Sequence, residues 1–233
     1  MSNPNRALTL AAFVALAPFT GGPLRAQKNP DLTPYFMTDR AAEVALARSA
    51  APRQISDSAT ILVLTRTGFV EAAHGTNAFS CFVLRSFFGR VGDPDFWNPR
   101  VRAPHCLNAA AMRTIYPEFV KRAEWITAGV SPTEIRTRTL RAYAAHELPM
   151  PAPGAMAYML SPQQYLVNDN PHWMPHLMFY HDKSIPAAAY GAGGMTAPII
   201  NGSAGDDDSP VMTLLIPVPR WSDGTPAHVD AGH

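Results

Sequence analysis

The 233-residue chain is poor in several things at once: it has two cysteines, three lysines (Lys28, Lys121 and Lys183), charged residues at only 16%, and no long apolar run after residue 19. A bilayer-spanning helix needs about 20 consecutive apolar residues. None is found downstream, so no integral membrane segment is expected in the mature chain. A net charge of +1, from 19 basic and 18 acidic side chains, supplies no field to recruit polyanions, which argues against nucleic acid or an acidic membrane as partner. Two cysteines permit at most one intramolecular bridge. No GxSxG string occurs, so the serine nucleophile of that elbow motif is absent. Internal repeats are also lacking. The three aspartates Asp206, Asp207 and Asp208 are consecutive rather than alternating and lack a later bidentate glutamate, which does not suit calcium.

What is present begins at the N-terminus. Arg6 is followed by an uncharged, largely apolar stretch from Ala7 to Phe19, then Gly21, Gly22, Pro23 and a small residue, Ala26. This order is that of a secretory signal peptide over residues 1–26. The mature chain is then expected to start near Gln27 and to form a single periplasmic or secreted domain over residues 27–233. In an oxidising compartment Cys81 and Cys106 are expected to pair. Closing a loop of about 25 residues would contribute roughly 3 kcal/mol in the chain-entropy model. The rival reading is a free Cys106 thiol just ahead of a helix, activated as a nucleophile.

The 23 prolines exclude long uninterrupted helices and leave much of the chain as ordered loop. "TDRAAEVALARSA" reads as a short helix capped by Thr38. Ile61 to Leu64, Phe69 to Ala73 and Phe79 to Leu84 read as three strands of an antiparallel meander, with Cys81, Val83 and Arg85 on one face of the third and Phe82 and Leu84 on the other. Residues 86 to 107, dense in glycine, proline and aspartate, read as a long ordered loop. Helical spacing begins at Asn108 and is interrupted by Pro117, which predicts a kink or a restart. "SPTEIRTRTLRAYAAHEL" carries Ser131 as cap, Pro132 in the first turn and Glu134 three residues after the cap, with Ile135, Thr139, Ala142 and Tyr143 on the buried side. Ala155 to Leu160, His176 to Tyr180 and Val211 to Val218 read as strands. The fold class is α+β: a mainly antiparallel sheet with two to four short helices packed on it.

The strings "DPDFWNPRVRAPHCLNAA", "GAMAYMLSPQQYL", "HWMPHLMFY" and "RWSDGTPAH" resemble a group of exported bacterial proteins of unknown function, over roughly residues 40 to 227. The resemblance implies an exported single domain and brings no activity, cofactor or site residue with it.

Three function classes follow from the side chains. The first is a small-ligand-binding or interaction domain whose aromatic loops, with Phe96, Trp97, Trp173 and Trp221, rim a pocket that also holds His105, His172 and His176. The second is a zinc or copper protein. Pro175 breaks a helical His172–His176 pair, and a strand from His176 to His181 sends those two imidazoles to opposite faces. A metal site would therefore join His172 and His176 at the strand's mouth, with His105, His74 or Asp169 as third ligand. The third is a hydrolase using Cys106 or Ser161 with a nearby histidine. The residues assign no cofactor, and a small molecule is the expected partner.

Overall fold

A computed structural model describes residues 29–170 and 172–227; the expected signal peptide, the start near Gln27 and Pro171 lie outside that range. The described chain builds one eight-stranded sheet. In chain order its strands are β1 (Thr60–Thr65), β2 (Gly68–Ala73), β3 (Phe79–Leu84), β4 (Ala103–Asn108), β5 (Met156–Met159), β6 (His176–Asp182), β7 (Ile200–Asn201) and β8 (Val211–Pro217). The order across the sheet is β2-β1-β3-β4-β5-β6-β8-β7. Every neighbouring pair is antiparallel except β1 with β3, which run parallel. The helices are α1 (Arg40–Arg48), α2 (Arg53–Ser56), α3 (Ala109–Thr114), α4 (Tyr116–Thr127) and α5 (Pro132–Ala144). The α+β architecture follows as expected.

Four helix starts have a local cause. Asp39, one residue later than the expected Thr38, caps α1 by accepting from the Ala42 N–H. Asn108 caps α3 by accepting from the Ala111 N–H, and Pro117 restarts the helix in the first turn of α4, where a missing N–H costs nothing. Ser131 caps α5 by accepting from the Glu134 N–H. Glu134 does not complete the reciprocal half of the box; its carboxylate pairs with Arg138 at 2.9 Å. The buried residues of α5 are Ile135, Thr139, Ala142 and Tyr143.

Side-chain alternation divides the sheet into two differently packed faces. One carries Ile61, Cys81, Val83 and Cys106 against Leu46 and Ala47 of α1. Cys81 and Cys106 lie directly opposite each other on β3 and β4, with Cα atoms 3.9 Å apart, and are joined by a disulfide. The other face carries Leu64, Phe82, Leu84, Leu107, Ala157, Met178 and Tyr180 against Ala111, Ala123, Ile126 and Ile135 of the three later helices and Ile115 between the first two of them.

Two expectations are corrected. The first concerns β3, which does not continue a meander beside β2. The chain returns past the start of β1 and adds β3 on its far side, parallel to it, so β2 is an edge. The His74-Gly75-Thr76-Asn77 stretch is a crossing and not a hairpin turn: Thr76 and Asn77 donate from their N–H groups to the Ser58 carbonyl at 2.8 and 3.1 Å, and Asn77 Nδ2 donates to the Ile55 carbonyl at 2.7 Å. The second concerns residues 103–107, read as loop, which with Asn108 form β4. Pro104 hides the strand from the sequence, yet sits where only β3 flanks it, since β4 pairs with β5 at Cys106 and Leu107 alone. In the stretch before Ser209, Ile200 and Asn201 form the short β7 within what reads as loop.

The crossing makes a specific demand at Gly75. A Cβ there would lie 2.1 Å from the Thr60 nitrogen and 2.4 Å from the Ala59 carbonyl carbon, both backbone atoms. Relief requires moving the start of a central strand. Gly75→Ala is therefore expected to destabilise the fold by roughly 2 kcal/mol or more, as overpacking against rigid atoms does; urea denaturation with an unchanged midpoint would contradict it.

Candidate functional site

The face that packs against α3 to α5 is not filled along its whole length. Between the sheet and two loops lies a cleft of about 330 Å³, at the lower end of the size of small-molecule sites. Leu84 of β3, Ala103 and His105 of β4, Met178 and Tyr180 of β6 and Thr213 of β8 form its floor. Ser86, Phe88, Asp93, Asp95, Phe96 and Val101 from residues 86–101 form one wall. Phe119 of α4 and Leu166 and Val167 close the rest.

The walls are held by specific bonds. Tyr165 and Arg102 exchange backbone hydrogen bonds of 2.8 and 2.9 Å, and the Arg100 guanidinium lies 4.4 Å from the Tyr165 ring centroid. Asn168 donates through Nδ2 to Asp95 Oδ1 at 2.8 Å and through its N–H to Asp95 Oδ2 at 3.1 Å. The segment bearing Leu166 and Val167 is thereby fastened to the loop bearing Phe96. Arg102 donates to the carbonyls of Pro99 and Val101, each at 2.7 Å, and is held below its usual range, to about 10, by burial and by the neighbouring Arg85.

His105 is the chemically informative group on the floor. It is 7% exposed, and its Nδ1–H donates to the Ala103 carbonyl at 2.9 Å. With the proton held at Nδ1, the lone pair sits at Nε2, which makes no hydrogen bond among the described residues. Burial drives its pKa down to about 4, against the raising effect of the Ala103 bond, with His176 nearby adding to the fall. At neutral pH His105 is an uncharged hydrogen-bond acceptor. His176 repeats the arrangement: 2% exposed, Nδ1–H donating to the Met174 carbonyl at 2.8 Å, and a pKa pushed to about 4 by burial. Strand alternation sends His176, Met178 and Tyr180 inward and His181 to the opposite face, as read from the sequence. Met178 and Tyr180 reach the cleft; the Trp173 ring covers His176, with centroids 4.6 Å apart.

The structure therefore separates the candidate residues. Phe96 and His105 line the cleft. Trp97 does not: it packs edge-on against Phe96 and Tyr35, and its carbonyl accepts from Tyr35 Oη at 2.6 Å. Trp173 packs on His176, and Trp221 belongs to the 221–225 turn, its N–H donating to the Thr225 carbonyl. His172 is exposed while His176 is buried, His74 pairs with Glu71 at the surface, and Asp169 is exposed. Among the described residues no three His, Cys, Asp or Glu side chains are grouped to hold a metal ion. Cys106 is committed to its disulfide and carries no thiol. Ser161 is fully buried, shares a 2.6 Å hydrogen bond with Ser49 Oγ and accepts from the Gln163 N–H, which makes it a structural serine.

Sequence reasoning missed most of the floor and walls. Leu84, Phe88, Phe119, Leu166 and Val167 are ordinary apolar residues whose convergence depends on the sheet order. The two-residue period of a strand, which separates His176 from His181, is the one signal that bears on the floor, since Met178 and Tyr180 share the His176 face.

A smaller adjoining cavity of about 160 Å³ shares Phe88, Phe119, Tyr180 and Thr213 with the cleft. Two of its carboxylates are already engaged. Glu118 accepts from Tyr143 Oη at 2.8 Å and Ser209 Oγ at 3.3 Å and faces Arg122 at 3.8 Å, while Asp208 accepts from the Val91 N–H and faces Arg136 at 3.5 Å. Burial raises the Glu118 pKa against the pull of Arg122. This cluster ties α4 and α5 to residues 203–209.

Compared with protein-family models, curated proteins and solved structures, the chain matches none.

The buried histidines give stability a pH dependence of known sign. Their folded pKa values lie below the unfolded value of about 6.5, so the unfolded chain binds more protons between pH 6.5 and 4, and stability falls as pH drops through that window. Glu118, with its raised pKa, acts in the opposite direction. For His105 the loss between pH 7 and 5 is about 2 kcal/mol. His105→Phe is expected to remove that share, giving a shallower decline in urea-derived stability than the wild type; parallel declines would refute it.

Proposed function

We propose that the protein is an exported small-molecule-binding domain whose ligand occupies the cleft over His105. The single observation that carries this reading is an imidazole on the floor of a largely apolar cleft, its Nδ1–H committed to the Ala103 carbonyl and its Nε2 left as an acceptor without a protein partner among the described residues. A ligand donor that meets this acceptor in a largely apolar cleft gains a net hydrogen bond. The complementary ligand is compact, largely apolar and carries a hydroxyl or N–H donor. The apolar walls of Phe88, Phe96, Phe119, Leu166 and Met178 contribute by burial, and His105 contributes orientation.

Export is supported by the N-terminal signal pattern and by the Cys81–Cys106 disulfide, a bond favoured in oxidising compartments. Among the described residues no helix is long and apolar enough to cross a membrane.

The test uses two probes of similar shape, 4-ethylphenol and ethylbenzene, titrated calorimetrically. A single hydrogen bond contributes a net of about 1 kcal/mol, so 4-ethylphenol should bind roughly fivefold more tightly. His105→Phe should abolish the difference while leaving ethylbenzene binding in place. Equal binding of both probes by the wild-type protein would remove His105 from the recognition scheme, and failure of both to bind would sink the reading.

A further inference from the structure

The polar groups around the cleft are unevenly distributed in charge. Three formally charged residues line it: Arg85, Asp93 and Asp95. The single cation is already spent, because Arg85 is 1% exposed and its guanidinium donates to Glu43 Oε1 at 2.6 Å and to the carbonyls of Tyr35 and Val83, each at 2.6 Å. Neither aspartate has an ion-pair partner among the described residues. Asp95 is engaged by the neutral amides of Asn98 and Asn168, which leave its charge uncompensated. Asp93 uses Oδ1 to accept from the Asp95 N–H at 2.8 Å, and its Oδ2 makes no hydrogen bond among the described residues.

Independent of these carboxylates, the interior also asks for a donor. His105, more than nine-tenths buried, offers Nε2, which makes no hydrogen bond among the described residues. A cavity with two uncompensated carboxylates on its wall, an acceptor on its floor and phenylalanines between them is complementary to a cation with an apolar body. An anionic ligand would meet like charge at the wall and find no free guanidinium or ammonium to receive it. A neutral ligand would leave the carboxylates unanswered.

We propose that the ligand is a primary or secondary amine in its cationic form, its ammonium group against Asp93, its aromatic or branched aliphatic body between Phe88, Phe96 and Phe119, and a donor group at the far end directed to His105. The phenylalanine faces add cation–π attraction for the methylene groups next to the charged nitrogen. Discrimination is electrostatic, so it weakens as salt rises. The inference rests on the reading of this cleft as a ligand site and names the class of ligand.

The experiment compares tyramine with 4-ethylphenol, which has the same ring and hydroxyl but no amine, and with 3-(4-hydroxyphenyl)propionate, which carries the opposite charge. The readout is calorimetric affinity for the full mature protein at pH 7. The expected order is tyramine, 4-ethylphenol, then the propionate, with tyramine favoured roughly tenfold over 4-ethylphenol. Asp93→Asn keeps an acceptor oxygen for the Asp95 N–H and should erase the tyramine advantage while leaving 4-ethylphenol affinity unchanged. Should that variant fail to fold, raising ionic strength from about 0.02 to 0.5 M should shrink the tyramine advantage in the wild-type protein. Equal affinity for tyramine and 4-ethylphenol, or an advantage that survives both Asp93→Asn and high salt, overturns the amine assignment and leaves the ligand-site reading standing. If none of the three compounds binds at millimolar concentration, both are overturned.

Discussion

The fold and the cleft meet at one buried ion pair. Arg85 follows the last residue of β3, and its side chain turns inward to Glu43 of α1 while bonding the Tyr35 and Val83 carbonyls. Glu43 Oε1 also accepts from the Leu64 N–H of β1 at 3.2 Å. One guanidinium and one carboxylate thus join α1, β1, β3 and the turn around Tyr35. Removing either partner leaves an uncompensated buried charge, a change that typically costs 3–5 kcal/mol. The pair also sits where residues 86–88 leave the sheet, and Ser86 and Phe88 of that stretch line the cleft. Burial pulls the Arg85 pKa down, and Glu43 opposes the fall.

The two faces of the sheet have different tasks. Beneath α1 the contact is dense and small-sided, with Ala47, Ala50, Ala51 and the disulfide all buried, and it fixes β3 against β4. Because Cys106 and His105 are consecutive, the same strand that is covalently anchored on one face presents the acceptor imidazole on the other. Stacking of His105 on Phe82, with planes 7° apart, and the Nδ1–H bond to Ala103 then hold the ring. Rigidity of this kind lets a single acceptor orient a ligand.

What was legible in the sequence was local. The buried side of α5 could be read from Ile135, Thr139, Ala142 and Tyr143 at helical spacing, the restart at Pro117 from the geometry of proline, and the orientation of His176 against His181 from the two-residue period of a strand. The Cys81–Cys106 bridge was legible because only one pairing exists. The position of β3 was not, because a crossing that passes Ser58 and Thr60 carries the same Gly-Thr-Asn chemistry as a hairpin turn. β4 was not, because Pro104 argues against a strand unless the shortness of β5 is known. Phe96 and His105 line the cleft, whereas the large loop aromatics Trp97, Trp173 and Trp221 do not line it, and composition alone does not separate the two cases. The wall carboxylates Asp93 and Asp95 looked like turn residues, which they also are.

The central claim is that His105 is held neutral with its lone pair at Nε2 facing the cleft, and nitrogen NMR of the imidazole side chains tests it most directly. The account predicts that His105 shows one protonated, pyrrole-like nitrogen at Nδ1 and one unprotonated, pyridine-like nitrogen at Nε2, and that this pattern persists from pH 7 to about pH 5, well below the ordinary histidine range. A His105 ring protonated at Nε2, or one that titrates near pH 6.5, would contradict it.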